Sequence, residues 1–371
     1  MSQSGPRGRV GILTLQLSTN YGGILQMIAL LDAIKQHGDE PVLLDKRARH
    51  GTLKARLSPL LARIPLQDLR GIRSKAMAAR EHRRFFESRV GQMSRPIYSS
   101  HDFETEIARL RLSTVVVGSD QVWRMDYQKD ANELNYFLDF GGDALRRVAY
   151  AASFGHGYWN FPTRTQEVKA CLSHFDAISV REQSGQTICS EVFGRDDARF
   201  VLDPTLLHEA DYYRAMTRDR PKQDPCVLVY VLDRQKEARA LAEKIAASRG
   251  ALPVRVLSPS AREFTSIQDW LSAFENADFV ITDSYHGSIF SIIFQRPFLT
   301  LLNSQRGLGR FTSLFDCLGL SGRALTDWDG TFPPVASQDP DYEGISTTIS
   351  HLRTTSRAFL ENALCAAEKK G

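Results

Sequence analysis

Four short stretches concentrate side chains that handle anions and protons. In the richest, Asp283-Ser284-Tyr285-His286-Gly287-Ser288 follows the apolar run Phe279 to Thr282 and precedes a nearly all-apolar one, Ile289 to Phe294. The spacing predicts a buried strand handing over to a buried helix capped at Asp283 or Ser284. Such a helix start presents backbone N–H groups, a hydroxyl and an imidazole at a strand's carboxyl end, where open α/β sheets bind ligands. The chemistry on offer is anion binding with a proton donor built in. Ordinary capping and packing use the same residue types, so both readings stand at this point.

The other three stretches are weaker singly. Gly118-Ser119-Asp120-Gln121-Val122-Trp123 closes an apolar run over Leu112 to Val117, and Asp120 reads as a helix cap or as a site carboxylate. Arg181 ends the run Ala177 to Val180 and opens a helix from about Gln183. An arginine there is costly to bury without an anionic partner, which is Glu182, another neighbouring acid, or the carboxylate or phosphate of a ligand. Ser18-Thr19-Asn20-Tyr21-Gly22-Gly23 is a polar, glycine-bearing loop that either lets a ligand approach the backbone or simply turns the chain. It matches neither a Walker loop nor G-x-G-x-x-G, so no nucleotide follows from it.

The elements that must position these groups alternate. Strands are predicted over Arg9 to Thr14, Pro41 to Asp45, Leu112 to Val117, Arg147 to Gly155, Ala177 to Glu182 and Phe200 to Thr205. After a polar stretch, His208 to Pro225, the alternation resumes with strands at Cys226 to Leu232, Val254 to Leu257, Phe279 to Thr282 and Pro297 to Leu302. This pattern predicts an α/β chain of two Rossmann-like, doubly wound domains facing a cleft. The expected boundaries are 1–207 for the first domain and 208–342 for the second. Residues 343–371 complete the chain as a C-terminal helix.

Length and composition fit two cores: 371 residues, 42% hydrophobic and 24% charged. No apolar run reaches the length of a membrane span. The first ten residues, MSQSGPRGRV, carry no apolar signal region, so a cytoplasmic location is expected. Five scattered cysteines read as reduced thiols without metal spacing. The net charge of +4 is uneven, because Lys46 to Arg95 holds fourteen Lys and Arg against Asp68, Glu81 and Glu87. This basic helical insertion is read as a solvated face, as a surface for an anionic membrane at its inner face, or as a contact for a phosphate-rich acceptor. Nucleic acid is not expected, for lack of any reader motif.

Taken together, N-Y-G-G at Asn20 to Gly23, G-S-D-Q-V-W at Gly118 to Trp123, S-V-R-E at Ser179 to Glu182, D-P at Asp203-Pro204 and D-S-Y-H-G-S at Asp283 to Ser288 resemble the polysaccharide pyruvyl transferase family, from about residue 10 to residue 300. The resemblance implies a fold like that of B-type glycosyltransferases. It also implies transfer of the enolpyruvyl unit of phosphoenolpyruvate onto a sugar as a pyruvate ketal, with release of phosphate. The acceptor implied is a saccharide of a cell-surface polysaccharide or its lipid-linked or nucleotide-linked precursor, expected on the side of the domain 1–207, with the donor on the side of 208–342. His286 and Arg181 match family residues associated with the donor. Some members carry an arginine two residues before the family histidine, where this chain has Ser284, so either a second cation comes from elsewhere, with Arg296, Arg306 and Arg310 close in sequence, or donor binding differs.

Ketal formation needs a general acid, a general base and cationic anchors. His286 suits the acid, Asp120 or Asp283 the base, and Arg181 an anion clamp. Ser284, Gly287 and Ser288, with Asn20, Tyr21 and Gly22 across the cleft, would bind substrate. Neither a metal nor another cofactor is required by these motifs; phosphoenolpyruvate enters as a substrate. The alternative reading is a nucleotide-sugar-dependent glycosyltransferase of the same architecture.

Overall fold

The computed structural model describes residues 8–15, 20–47, 77, 80–127, 133–257 and 265–365. Its first half is a seven-stranded sheet. The strands are β1 (Arg9–Leu13), β2 (Glu40–Leu43), β3 (Gln92–Met93), β4 (Thr114–Asp120), β5 (Arg146–Ala152), β6 (Ala177–Val180) and β7 (Arg199–Phe200), ordered β3-β2-β1-β4-β5-β6-β7. The second half is a five-stranded sheet of β8 (Val227–Tyr230), β9 (Val254–Leu257), β10 (Phe279–Thr282), β11 (Phe298–Leu301) and β12 (Ala324–Leu325), ordered β12-β11-β10-β8-β9. Every pairing is parallel, so helices must cross over and cover the faces. The central strands answer to that environment: all seven residues of β4, TVVVGSD, and all four of β10, FVIT, are buried.

Strand order reverses once in each sheet, between β1 and β4 and between β8 and β10. At such a switch the flanking crossovers leave in opposite directions, and a crevice opens at the strands' carboxyl ends. In the first sheet the crevice wall is stitched by Gln26, which donates to Thr14 Oγ1 (3.2 Å) and to the Gly23 carbonyl (3.0 Å) and accepts from Ser119 N–H (3.2 Å). The helix that leaves β1, α1 (Tyr21–His37), starts on Asn20 as its cap, whose side chain accepts from Gly23 N–H, and stops at Gly38, held at φ 102°. Only glycine takes that left-handed conformation without strain.

The polar stretch expected to separate the halves is partly structured: it carries a helix, Ala210–Thr217, with Tyr213 and Met216 buried. One apolar cluster runs from α1 through Val201, Leu206 and Tyr213 to Trp270 and Phe290, so the two sheets share a core at the crossing. The last helix, Tyr342–Leu364, begins against the second half, where the Tyr342 hydroxyl bonds the Arg296 carbonyl, and ends on the first. There Ser356 Oγ accepts from Leu202 N–H (3.0 Å), and Arg146 bonds the Ala363 carbonyl (2.6 Å). Most of the basic insertion falls outside the described residues; of its expected helix, Leu66 to Val90, a helix over 80–89 is present, bearing Arg83–Glu87 and Arg84–Glu81 ion pairs. Among the described residues no helix is long and apolar enough to cross a membrane.

Candidate active site at the facing strand ends

The groups singled out above gather at the carboxyl ends of β1, β4, β6 and β10, with Asp120 the last residue of β4, His286 in the first turn of the helix after β10, and Asp203 just beyond β7. Arg181 is the centre. It is 1% exposed, and its guanidinium donates to Asp120 Oδ1 (2.8 Å) and Asp203 Oδ2 (3.2 Å), while Glu182 Oε2 stands 4.0 Å from Nε. Burial alone would lower the Arg181 pKa, but Asp120 and Asp203 more than offset it and hold the guanidinium firmly charged. Burial would likewise raise both aspartates. Arg181, then His286 and Arg310, hold Asp120 below the usual carboxylate range, and His286 ahead of Arg181 does the same for Asp203. Asp120 sits at φ 76°, a left-handed conformation that costs a non-glycine residue about 1–3 kcal/mol and is kept where the surroundings impose it.

The second sheet supplies His286. Its helix, Tyr285–Ile293, is capped by Ser284, whose hydroxyl accepts from Gly287 N–H, and is buried along all but its last residue, as the apolar sequence requires. Nε2 of His286 lies 3.5 Å from Asp203 Oδ2, so the carboxylate that steadies Arg181 also faces the imidazole. Gly22 of α1 packs on the other side of this ring: a Cβ there would sit 2.2 Å from His286 Cγ and Nδ1. The N-Y-G-G motif therefore brings the first half's switch point onto the catalytic histidine candidate, and only a residue without a side chain fits between.

Arg310 completes the cluster. It opens the helix Gly309–Leu318, is 9% exposed, and lies over the Tyr285 ring (5.3 Å to the centroid) as Arg181 does (5.0 Å). Its Nη2 donates to the Arg306 carbonyl (3.1 Å), and among the described residues no carboxylate reaches ion-pair distance. Burial, reinforced by the like charge of Arg181, pulls its pKa down to about 10. Arg181 Nε, Arg310 Nε, His286 Nε2 and Glu182 Oε2 are all buried without a hydrogen-bond partner among the described residues. Of the other substitutes considered, Arg306 is paired with Asp233, and Arg296 precedes β11 and so lies at the opposite end of the sheet.

Other residues of the motifs are engaged elsewhere. Asp283 accepts three backbone N–H groups, from Leu232 (2.7 Å), Asp233 (2.9 Å) and Arg234 (3.2 Å), and so fastens the loop after β8. Ser288 Oγ bonds Thr300 Oγ1 (2.8 Å), and a Cβ on Gly287 would meet Thr282 Oγ1 at 2.2 Å; both pack the helix on its sheet. Asn20 remains exposed as the α1 cap. Tyr21 turns away into an aromatic cluster, stacked on Trp270 (5.5 Å), with its hydroxyl donating to the Thr265 carbonyl (2.8 Å) across the two halves. Asp203 and Tyr285 were given no role from sequence, although Asp203 had a signal, an acid before proline at a strand end. Arg310 was one of three nearby arginines named from sequence, and the fold singles it out by packing the helix after β11 against Arg181.

The comparisons with known proteins agree with this architecture. S. aureus MnaA, solved with UDP, superposes with a TM-score of 0.50 at 13% identity, covering 94% of this chain and 91% of that one. The wall teichoic acid polymerase TagF gives 0.49 at 10% identity over 97% and 89%, and an O-GlcNAc transferase from Thermobaculum terrenum gives 0.46 at 13% over 96% and 67%. At 13% identity the likeness to MnaA concerns the fold alone, two Rossmann-like α/β domains in the B-type glycosyltransferase arrangement. No curated protein matches the sequence. The family model for polysaccharide pyruvyl transferase matches residues 20–305, which include the α1 start, Asp120, Arg181, Asp203 and His286. The chain belongs to the polysaccharide pyruvyl transferase family.

Proposed function

We propose that the protein transfers the enolpyruvyl unit of phosphoenolpyruvate to two hydroxyls of one sugar, forming a pyruvate ketal on a cell-surface polysaccharide or its precursor. The observation that carries this reading is Arg310: a buried guanidinium beside Arg181, without a carboxylate of its own among the described residues and with its charge disfavoured. A buried cation in that state calls for an anion, and the donor brings both a carboxylate and a phosphate. Arg310 joins Arg181 as the second cation, the one that the serine at position 284 does not supply, and the start of the His286 helix adds backbone N–H groups.

In the reaction the donor's methylene carbon takes a proton from His286, sugar oxygens bond to the adjacent carbon, and the C–O bond to phosphate breaks. The two hydroxyls release two protons; one replaces that given by His286 and the other leaves with phosphate. Asp203, 3.5 Å from Nε2, stabilises the protonated imidazole before transfer. Asp283 is spent on backbone amides, which leaves Asp120 the carboxylate better placed as base, once ligand binding loosens its hold on Arg181. General acid–base help of this kind contributes roughly 10²–10⁴-fold.

The test is a thermal-shift titration with phosphoenolpyruvate beside UDP- and GDP-sugars, on the native protein and on Arg310→Met. Phosphoenolpyruvate is expected to stabilise the native protein by mass action and to lose that effect in the variant. Stabilisation by a nucleotide sugar with no response to phosphoenolpyruvate would instead support a glycosyltransferase, in line with the UDP seen in S. aureus MnaA. The basic segment Lys46 to Arg95 is assigned to docking at an anionic membrane, where lipid-linked acceptors sit. Cosedimentation with phosphatidylglycerol vesicles should weaken steadily from about 0.05 to 0.5 M NaCl; binding indifferent to salt would exclude a charge-driven contact.

A further inference from the structure

Beyond the anion pocket, the cleft wall of the first half carries a second cluster that the reaction above does not use. Among the described residues five large apolar side chains are strongly exposed, and two of them, Tyr127 (47%) and Tyr158 (66%), stand on the loops after β4 and β5. Exposing two aromatic rings to water is unfavourable unless something covers them. Between them lies a web of planar polar groups. Asp126 Oδ2 accepts from His156 Nε2 (2.8 Å) and Arg124 Nε (3.3 Å), and its Oδ1 accepts from Asn160 Nδ2 (3.3 Å). The His156 ring is 5.9 Å from that of Tyr158. Arg124 lies under the Tyr127 ring (4.3 Å) and donates to its hydroxyl (3.0 Å).

This cluster is continuous with the anion pocket. Arg124 also donates to Gln121 Oε1 (3.1 Å), next to Asp120, and to the Gln305 carbonyl of the second half (3.2 Å). Gly155, whose missing side chain leaves room for Arg124, meets Gly307 across the cleft, where a Cβ on Gly307 would fall 1.8 Å from the Gly155 carbonyl oxygen.

We propose that Tyr127, Tyr158, Asp126, His156 and Asn160 form the subsite for a pyranose acceptor. A pyranose offers an apolar face of ring C–H bonds and an edge of vicinal hydroxyls. The tyrosine rings match the face, and the carboxylate, imidazole and amide match the edge with both donors and acceptors. An apolar chain would leave the polar web without partners. The subsite rests on the pyruvyl transfer reading for its purpose, but its binding can be measured without the donor.

The experiment is saturation-transfer NMR on the full chain with the methyl β-pyranosides of glucose, galactose and mannose, each to about 20 mM, the millimolar range that so few contacts sustain. At least one glycoside is expected to receive saturation, strongest at its ring C–H protons. The signal should fall about fivefold or more in Tyr127→Ala/Tyr158→Ala and persist in Tyr127→Phe/Tyr158→Phe. Unfolding temperature and the phosphoenolpyruvate shift should be unchanged in both. No transfer to any of the three, or equal transfer in the alanine pair, overturns the subsite. Glycoside binding that depends on the tyrosines while phosphoenolpyruvate gives no shift would leave the subsite standing and remove the donor assignment instead.

Discussion

At the scale of single residues, the site is a set of charges whose balance is incomplete. Arg181 is satisfied by Asp120 and Asp203, whereas Arg310 is buried beside it with its pKa pulled down to about 10. A cation in that state costs stability, and replacing it with an apolar side chain of similar volume relieves the cost. Arg310→Met is therefore expected to melt about 1–3 °C above the native protein, a scale set by roughly 1 kcal/mol in a chain of this size, while losing its response to phosphoenolpyruvate. Melting below the native protein would mean that Arg310 is structural. Sequence types alone marked Arg181 and His286 as candidates, because a buried arginine at a strand end needs an anion and an imidazole at a helix start can pass a proton to one, although packing and capping use the same residue types. They could not rank Asp283 against Asp120, since both follow β-rich runs; only the partners differ, three backbone amides for one and a guanidinium for the other.

At the scale of elements, the site depends on two helix starts meeting across the cleft. α1 brings Gly22 against the ring of His286, and the Cβ of any other residue would overlap that ring. Gly22→Ala should therefore move His286 by a large fraction of an ångström and lower kcat/KM by about 10²-fold or more, the usual result of misplacing a reacting group by 1 Å. A crystal structure or unchanged turnover showing the ring still in place would rule out this positioning role. The glycine was legible in sequence as a close-approach residue, but what approaches it was not. The approach is made by another element 264 residues further along the chain, and no local pattern encodes that distance. Ten of the twelve described strands were legible to within a few residues, because a buried parallel strand is a continuous apolar run; the two-residue edge strands β3 and β12 carry no such run and were not expected, β7 is only Arg199–Phe200 of the expected Phe200 to Thr205, and β5 and β6 end earlier than expected, at Ala152 and Val180, where the polar site residues begin.

At the scale of the molecule, the two sheets are joined twice. The chain crosses once after β7, through Asp203 and Leu206, and returns in the helix Tyr342–Leu364, whose Arg353 and Arg357 donate to the Leu206 and Leu207 carbonyls of that first crossing. A chain ending at residue 341 would uncover Ile345, Ile349 and Leu360 contacts and leave Leu202 N–H without its serine partner. It is expected to bind a hydrophobic dye and unfold well below the full chain; equal melting would show that the return helix is dispensable.

Two adjacent crossings lie on one line, as the pins of a hinge would. If the halves open about that line, points near it sweep short arcs and points far from it long ones. Asp203 belongs to the first crossing and faces His286, so opening would leave that pair nearly still and displace the contact of Gly155 with Gly307 most. Under the proposed function, the imidazole would then keep its carboxylate companion while a glycan enters or leaves at the far rim.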